Sequence, residues 1–207
     1  MRRWYNKKKV VSFLVSGSGL NFRAVVKRII NKEIKAKVGV VITDNSTARV
    51  LERAEKLGIA AHFVDPESYP TKEEYEEKII QIFKRYKTDL IVTTGYMRLL
   101  THYFVNQYRN RIINIHPSLL PSFSGIHAQE KALEYGVKIT GCTSHFVDEG
   151  MDTGPIIMQS PISIRDSDTV TSLSARILNE EYRVLSESVQ LFCEGRLQVV
   201  DNKVIKR

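Results

Sequence analysis

Short, almost wholly apolar runs alternate through the first half of the chain with stretches whose apolar residues recur every three or four positions. Val10 to Val15 is such a run; it breaks at Ser16-Gly-Ser-Gly19, and Asn21 to Ile30 then carries Phe22, Val25, Val26 and Ile29 at helical spacing. The same alternation predicts strands at Val38–Thr43, Ala61–Val64 and Asp89–Thr94, with helices at Thr47–Leu57 and Thr71–Tyr86. Strands without polar alternation, separated by amphipathic helices, imply a parallel sheet buried on both faces.

The second half is less regular. It predicts a strand at Arg111–His116, a proline-bounded loop, a helix at His127–Tyr135, strands near Lys138–Val147 and Pro155–Ile164, and a long helix from Thr169 to Glu194. Leu173, Ile177, Leu185 and Val189 supply the buried stripe of that helix, and Gly195 ends it. A final hairpin is expected over Leu197–Ile205, turning at Asp201-Asn202. No repeat, low-complexity block or linker interrupts the pattern. The expected fold is therefore α/β: a single Rossmann-like domain over residues 1–207, with a mostly parallel twisted sheet, helices on both faces and an antiparallel carboxyl-terminal part.

Composition narrows the function. With 207 residues, 43% hydrophobic and 26% charged, the chain has ample material for a core, which excludes disordered and disulfide-stapled classes. No apolar run approaches the roughly 20 residues of a membrane span, and Met1 to Lys9 is a basic tail without the apolar stretch of a leader, so the expected location is the cytoplasm. Cys142 and Cys193 lack metal or redox spacing and read as reduced, structural residues. The net charge of +8 is spread over the helices, with a dense run only at Arg2 to Lys9 and no RNA-binding aromatic motif. Small anions rather than nucleic acid are the expected partners, and no membrane is.

Ser16-Gly-Ser-Gly-Leu-Asn21 stands where a strand feeds a helix, so its backbone N–H groups and the helix dipole can converge on a phosphate. A dinucleotide fingerprint would require glycine where Phe22 stands, so Asp44 at the end of the next strand is discounted as a ribose-binding acid. A Walker lysine is absent as well. The competing explanation is a glycine turn needed only for a sharp reversal.

Asn114 and His116 lie two apart on an otherwise apolar strand and so leave the same face, immediately before Pro117 ends it. Ligands of open α/β sheets bind at such strand ends. Asp148-Glu-Gly-Met-Asp-Thr-Gly154 follows a second apolar strand as a glycine-hinged loop with three acids. One of them beside His116 would fix the imidazole for acid/base or oxyanion chemistry; the alternative is a solvated acidic loop. His116, His127 and His145 show no metal-binding spacing, no metal is expected, and no Ser or Cys is framed as a nucleophile.

Ser16-Gly-Ser-Gly-Leu-Asn21, Gly95-Tyr-Met-Arg-Leu-Leu100, Asn114-Ile-His-Pro-Ser-Leu-Leu-Pro121, His145-Phe-Val147 and Asp152-Thr-Gly-Pro155 resemble, in order and spacing, the phosphoribosylglycinamide formyltransferase family of folate-dependent enzymes. The resemblance runs from about Lys9 to Leu197. It implies that 10-formyltetrahydrofolate is co-substrate, that the formyl group passes to the amine of glycinamide ribonucleotide, and that the enzyme is a monomer or homodimer. Another amine acceptor, such as an amino sugar nucleotide, is the alternative. The resemblance also assigns Asn114, His116 and Asp152 to catalysis, Gly19, Leu20 and Asn21 to the substrate phosphate, Glu181 to the ribose and Met97 to the glycinamide. Arg98, Leu99, Leu100, Val147, Glu149, Gly150 and Met151 would enclose the pterin. Two positions depart from the family pattern: Leu20 replaces a small hydroxyl residue, and Leu178 stands where some relatives have a polar or basic phosphate partner.

Overall fold

The computed structural model describes residues 7–207, so most of the basic run at the amino terminus lies outside the described residues. Nine strands and six α-helices follow one another as β1 (Lys9–Leu14), α1 (Leu20–Ile30), β2 (Ala36–Thr43), α2 (Arg49–Lys56), β3 (Ala60–Phe63), α3 (Lys72–Arg85), β4 (Leu90–Thr93), α4 (His102–Gln107), β5 (Ile112–His116), α5 (Ala128–Tyr135), β6 (Ile139–Phe146), β7 (Ile156–Ser163), α6 (Val170–Cys193), β8 (Leu197–Val200) and β9 (Lys203–Lys206), all within the described residues. The main sheet has the order β3-β2-β1-β4-β5-β6-β7. Its first five strands are parallel, and β6 and β7 add antiparallel. β8 and β9 form the expected hairpin, with Asp201 and Asn202 both at positive φ in its turn.

The strands read as continuously apolar because both faces are covered. In β1, Val11 and Phe13 face a core shared with Phe22, Val25 and Val26 of α1, with Val50 and Ala54 of α2, and with Leu173, Ile177, Leu185 and Val189 of α6. Leu14 faces the opposite core, where Ile79, Ile80 and Phe83 of α3 meet Phe104 of α4. Burying side chains of this size stabilises by roughly 1.5–3 kcal/mol each. The long α6 opens on a capping box between Thr169 and Ser172 and closes at Gly195, which adopts φ 70° while Arg196 N–H reaches back to Leu191 O at 3.0 Å.

One element escapes the periodicity. α4 is six residues of aromatic, β-branched and polar type with weak helix propensity, and only Phe104 and Val105 are buried. It is held from outside: Thr101 caps it, and buried Glu76 of α3 accepts from Thr101 N–H at 2.9 Å and from the Thr101 hydroxyl. Elsewhere the periodicity places every strand and α-helix and errs by at most two residues at its ends, as at β2, whose polar Lys37 pairs with Val10.

Candidate active site

β1 continues through α1 to β2 on one side, whereas β4 continues through α4 to β5 on the other. The crevice of an open sheet lies at the carboxyl ends of two such strands. Here the turns after them are joined: Ser16 N–H donates to Gly95 O at 3.2 Å, and Met97 N–H donates to Ser16 Oγ at 3.0 Å.

At the amino end of α1, Gly19 is the N-cap residue at φ 68° and ψ 30°, with no side chain to cap the helix. A Cβ on it would meet Val50 Cγ2 at 2.6 Å, so glycine is required both by the left-handed backbone and by the close approach of α2. Arg23 N–H makes the first intrahelical bond, to Gly19 O at 3.0 Å. The N–H groups ahead of it are those a helix leaves for an anion. The Asn21 side chain is otherwise engaged: its amide donates to Glu181 Oε2 at 2.7 Å, and its own oxygen is buried without a partner among the described residues. Burial raises the pKa of Glu181, only partly opposed by the Asn21 bond. Leu20 and Leu178 line the same cleft, of ≈ 710 Å³, which extends past Met97 to Asn114, His116 and Asp152.

The three polar residues singled out on β5 and in the acidic loop do come together. His116 Nδ1 lies 3.3 Å from Asp152 Oδ2, with both side chains largely buried. His116 Nε2 is 2.9 Å from Phe123 O, so the ring faces an oxygen at each nitrogen. Asn114 is oriented on both sides: its oxygen accepts from Thr93 Oγ1 at 3.0 Å, and its amide lies 3.2 Å from His145 Nε2. His145 Nδ1 in turn is 2.9 Å from Phe146 O, and its Nε2 faces both the Asn114 amide and Asp152 Oδ1, the latter at 3.6 Å. The second Asn114 N–H remains for a ligand.

Asp152 sits at φ 57° and accepts from Gly125 N–H at 2.9 Å. Burial pushes its pKa up, but the adjacent His145 ring, the Gly125 bond and the charge of His116 outweigh that and leave it below the ordinary carboxylate range. Gly154 explains how the acid reaches this place: a Cβ there would lie 1.9 Å from Phe146 O, so only glycine lets the loop fold back onto β6.

A second, narrower space of ≈ 90 Å³ adjoins the cleft at Asn114 and Asp152. Arg98, Leu99, Leu100, Val147, Glu149, Gly150 and Met151 all line it. The side chains of two of these residues have polar partners. Arg98 Nε donates to Asp44 Oδ2 at 3.0 Å, which gives the discounted Asp44 a role in holding the wall. The Glu149 carboxylate is drawn to His102 Nδ1 at 2.5 Å and lies 3.6 Å from Arg109.

His145 and Thr93 were not among the residues assigned to the site from sequence. The signal that identifies them is register: Asn114 pairs with Thr93 on β4 and with His145 on β6, so an asparagine in an apolar strand finds its partners directly across. No group of three or more His, Cys, Asp or Glu among the described residues has metal-binding geometry. Cys142 and Cys193 are unbonded, and burial pushes both thiols up to about 12, as suits inert residues.

A model of the family described as formyl transferase matches residues 8–189. Phosphoribosylglycinamide formyltransferase of Bacillus subtilis (strain 168) is 42% identical over 175 residues, 84% of this chain and 90% of the relative. The trifunctional purine biosynthetic protein adenosine-3 of Homo sapiens is 36% identical over 199 residues; they are 96% of this chain, which spans only 20% of that relative. The crystal structure of glycinamide ribonucleotide transformylase 1 from Symbiobacterium toebii superposes with a TM-score of 0.94 at 42% identity, covering 96% of this chain and 94% of the other. The strand-end crevice and its joined turns thus sit in a fold and sequence shared along nearly the whole chain, which belongs to the formyl transferase family and, within it, to the phosphoribosylglycinamide formyltransferases.

Proposed function

We propose that this chain transfers the formyl group of 10-formyltetrahydrofolate to the amine of glycinamide ribonucleotide, a step of purine biosynthesis carried out in the cytoplasm by a monomer or homodimer without nucleic acid. One observation carries the reading: Asn114, His116 and Asp152, from two distant segments, converge where the cleft below the glycine turn meets the compartment walled by Arg98, Leu99 and Met151.

The phosphate rests on the N–H groups around Gly19, Leu20 and Asn21, the ribose meets Glu181, and the amine lies near Met97. The pterin enters the narrower compartment. The amine attacks the formyl carbon and the carbonyl electron pair moves to oxygen. Collapse returns that pair and breaks the bond to the folate nitrogen, which takes the proton lost by the amine. The chain stabilises the negative oxygen with the free Asn114 N–H and the charge of His116. Asp152 holds the imidazolium and, through an adjacent water, relays the proton. In this structure the His116 Nε2 position is satisfied by Phe123 O, so the loop carrying Phe123 yields that N–H as the reacting oxygen arrives.

The test is release of formyl from 10-formyltetrahydrofolate by purified protein. Release that requires glycinamide ribonucleotide and does not occur with an amino sugar nucleotide is expected. The opposite preference, or release with neither acceptor, overturns the assignment.

A further inference from the structure

The phosphate turn carries two carbonyls that would repel an anion if they faced it, and α2 takes both. Val50 N–H, in the first turn of α2, donates to Gly17 O at 3.3 Å. One helical turn further on, Arg53 Nε donates to Ser18 O at 2.7 Å. With Gly17 O and Ser18 O drawn toward α2, the N–H groups of the following peptides are left to the cleft. Arg53 makes no ion pair among the described residues, so its charge stays beside the turn. Neither Leu20 nor Leu178 brings a polar atom to the same place.

We propose that Arg53 is a positioning residue of the phosphate site: its bond to Ser18 O fixes the peptide orientation of the turn, and its guanidinium supplies the positive potential that the two leucines do not. This rests on the phosphate reading given above and assigns that site a cation outside the glycine turn. Arginine suits both tasks, because one N–H can bind the carbonyl while the delocalised charge and the remaining donors stay available. Since the group acts on phosphate and not at the formyl carbon, it governs KM and leaves kcat alone.

The experiment compares wild type, Arg53→Gln and Arg53→Lys with glycinamide ribonucleotide and with glycinamide riboside, which lacks the phosphate. Arg53→Gln should raise KM for the ribonucleotide by about tenfold with kcat within about twofold, and leave kcat/KM for the riboside unchanged, as expected for loss of a charge-assisted contact. Arg53→Lys, which keeps charge but not the planar fork, should fall between, and it decides the matter if the glutamine variant does not fold. Unchanged KM for the ribonucleotide in Arg53→Lys and Arg53→Gln, or equal losses with both acceptors, overturns the inference and leaves the phosphate reading standing. A wild-type enzyme that uses riboside as well as ribonucleotide overturns the phosphate reading, and this inference with it.

Discussion

One end of the cleft is lined by backbone, and the other by polar side chains. The turn after β1 presents peptide N–H groups fixed by a left-handed Gly19 and by bonds to α2, and it does so with leucine at two lining positions. Beside β5 the polar atoms that face the cleft belong to Asn114, His116 and Asp152, each oriented by a further partner: Thr93 and His145, Phe123 O, and Gly125 N–H. A backbone site tolerates exchange of side chains so long as the chain keeps its path. A side-chain site tolerates exchange of its surroundings but not of its functional atoms.

That contrast can be broken experimentally, and the largest effect belongs to the side-chain end. Asn114→Ala, His116→Ala and Asp152→Asn should each lower kcat by about 10²–10³ or more, the usual cost of an oxyanion donor or its support, while circular dichroism and melting show a folded protein. Near-normal turnover in all three would remove the assignment. At the backbone end the sensitive position is Gly19 itself. Gly19→Ala forces a Cβ into α2 at an unfavourable φ, and should destabilise by about 2–4 kcal/mol, seen as a fall in melting temperature of roughly 5–15 °C, together with a raised KM for the ribonucleotide.

Two carboxylates titrate in opposite senses and separate the ends again. Asp152 has a lowered pKa when folded, so its contribution to stability is fully present above the ordinary carboxylate pKa and is lost as pH falls through the folded value. Asp152→Asn should therefore flatten the acid limb of the stability profile. Glu181 has a raised pKa because it is buried, so its native form binds a proton more tightly and stability falls as pH rises from the unfolded toward the folded value. Glu181→Gln keeps an oxygen for the Asn21 amide. It should be at least as stable as wild type at pH 7, by thermal melting, yet bind the ribonucleotide more weakly. The smallest change expected is Leu20→Ser, which adds a hydroxyl at the amino end of α1 and should lower KM for the ribonucleotide by no more than about tenfold, with no change in kcat.

How much of this was legible in the sequence follows the same division. Strand and helix periodicity marks nearly every element because each apolar stripe has a core to face, and it also marks the turn after β1, where a glycine cluster interrupts a strand and a helix begins. α4 was not legible, because its six residues carry only two adjacent buried positions and no repeating apolar stripe, while its amino end is held by Thr101 and by Glu76 of α3. Asn114 and His116 were visible as polar residues on an apolar strand. Their partners were not: His145 is set by antiparallel register with β6, and Phe123 O by the path of a loop, which no local pattern encodes. The Glu149 pairing with His102 was hidden for the same reason, since it joins two segments that the pattern leaves separate.

The central claim is that His116 and Asp152 act as one unit on a developing negative oxygen. Its most direct test is a double-mutant cycle, with kcat measured for His116→Ala, Asp152→Asn and the pair. Groups that work together are not additive, so the double variant should lose no more than about tenfold beyond the worse single variant. Losses that multiply in the double variant would show two independent contributions and contradict the account.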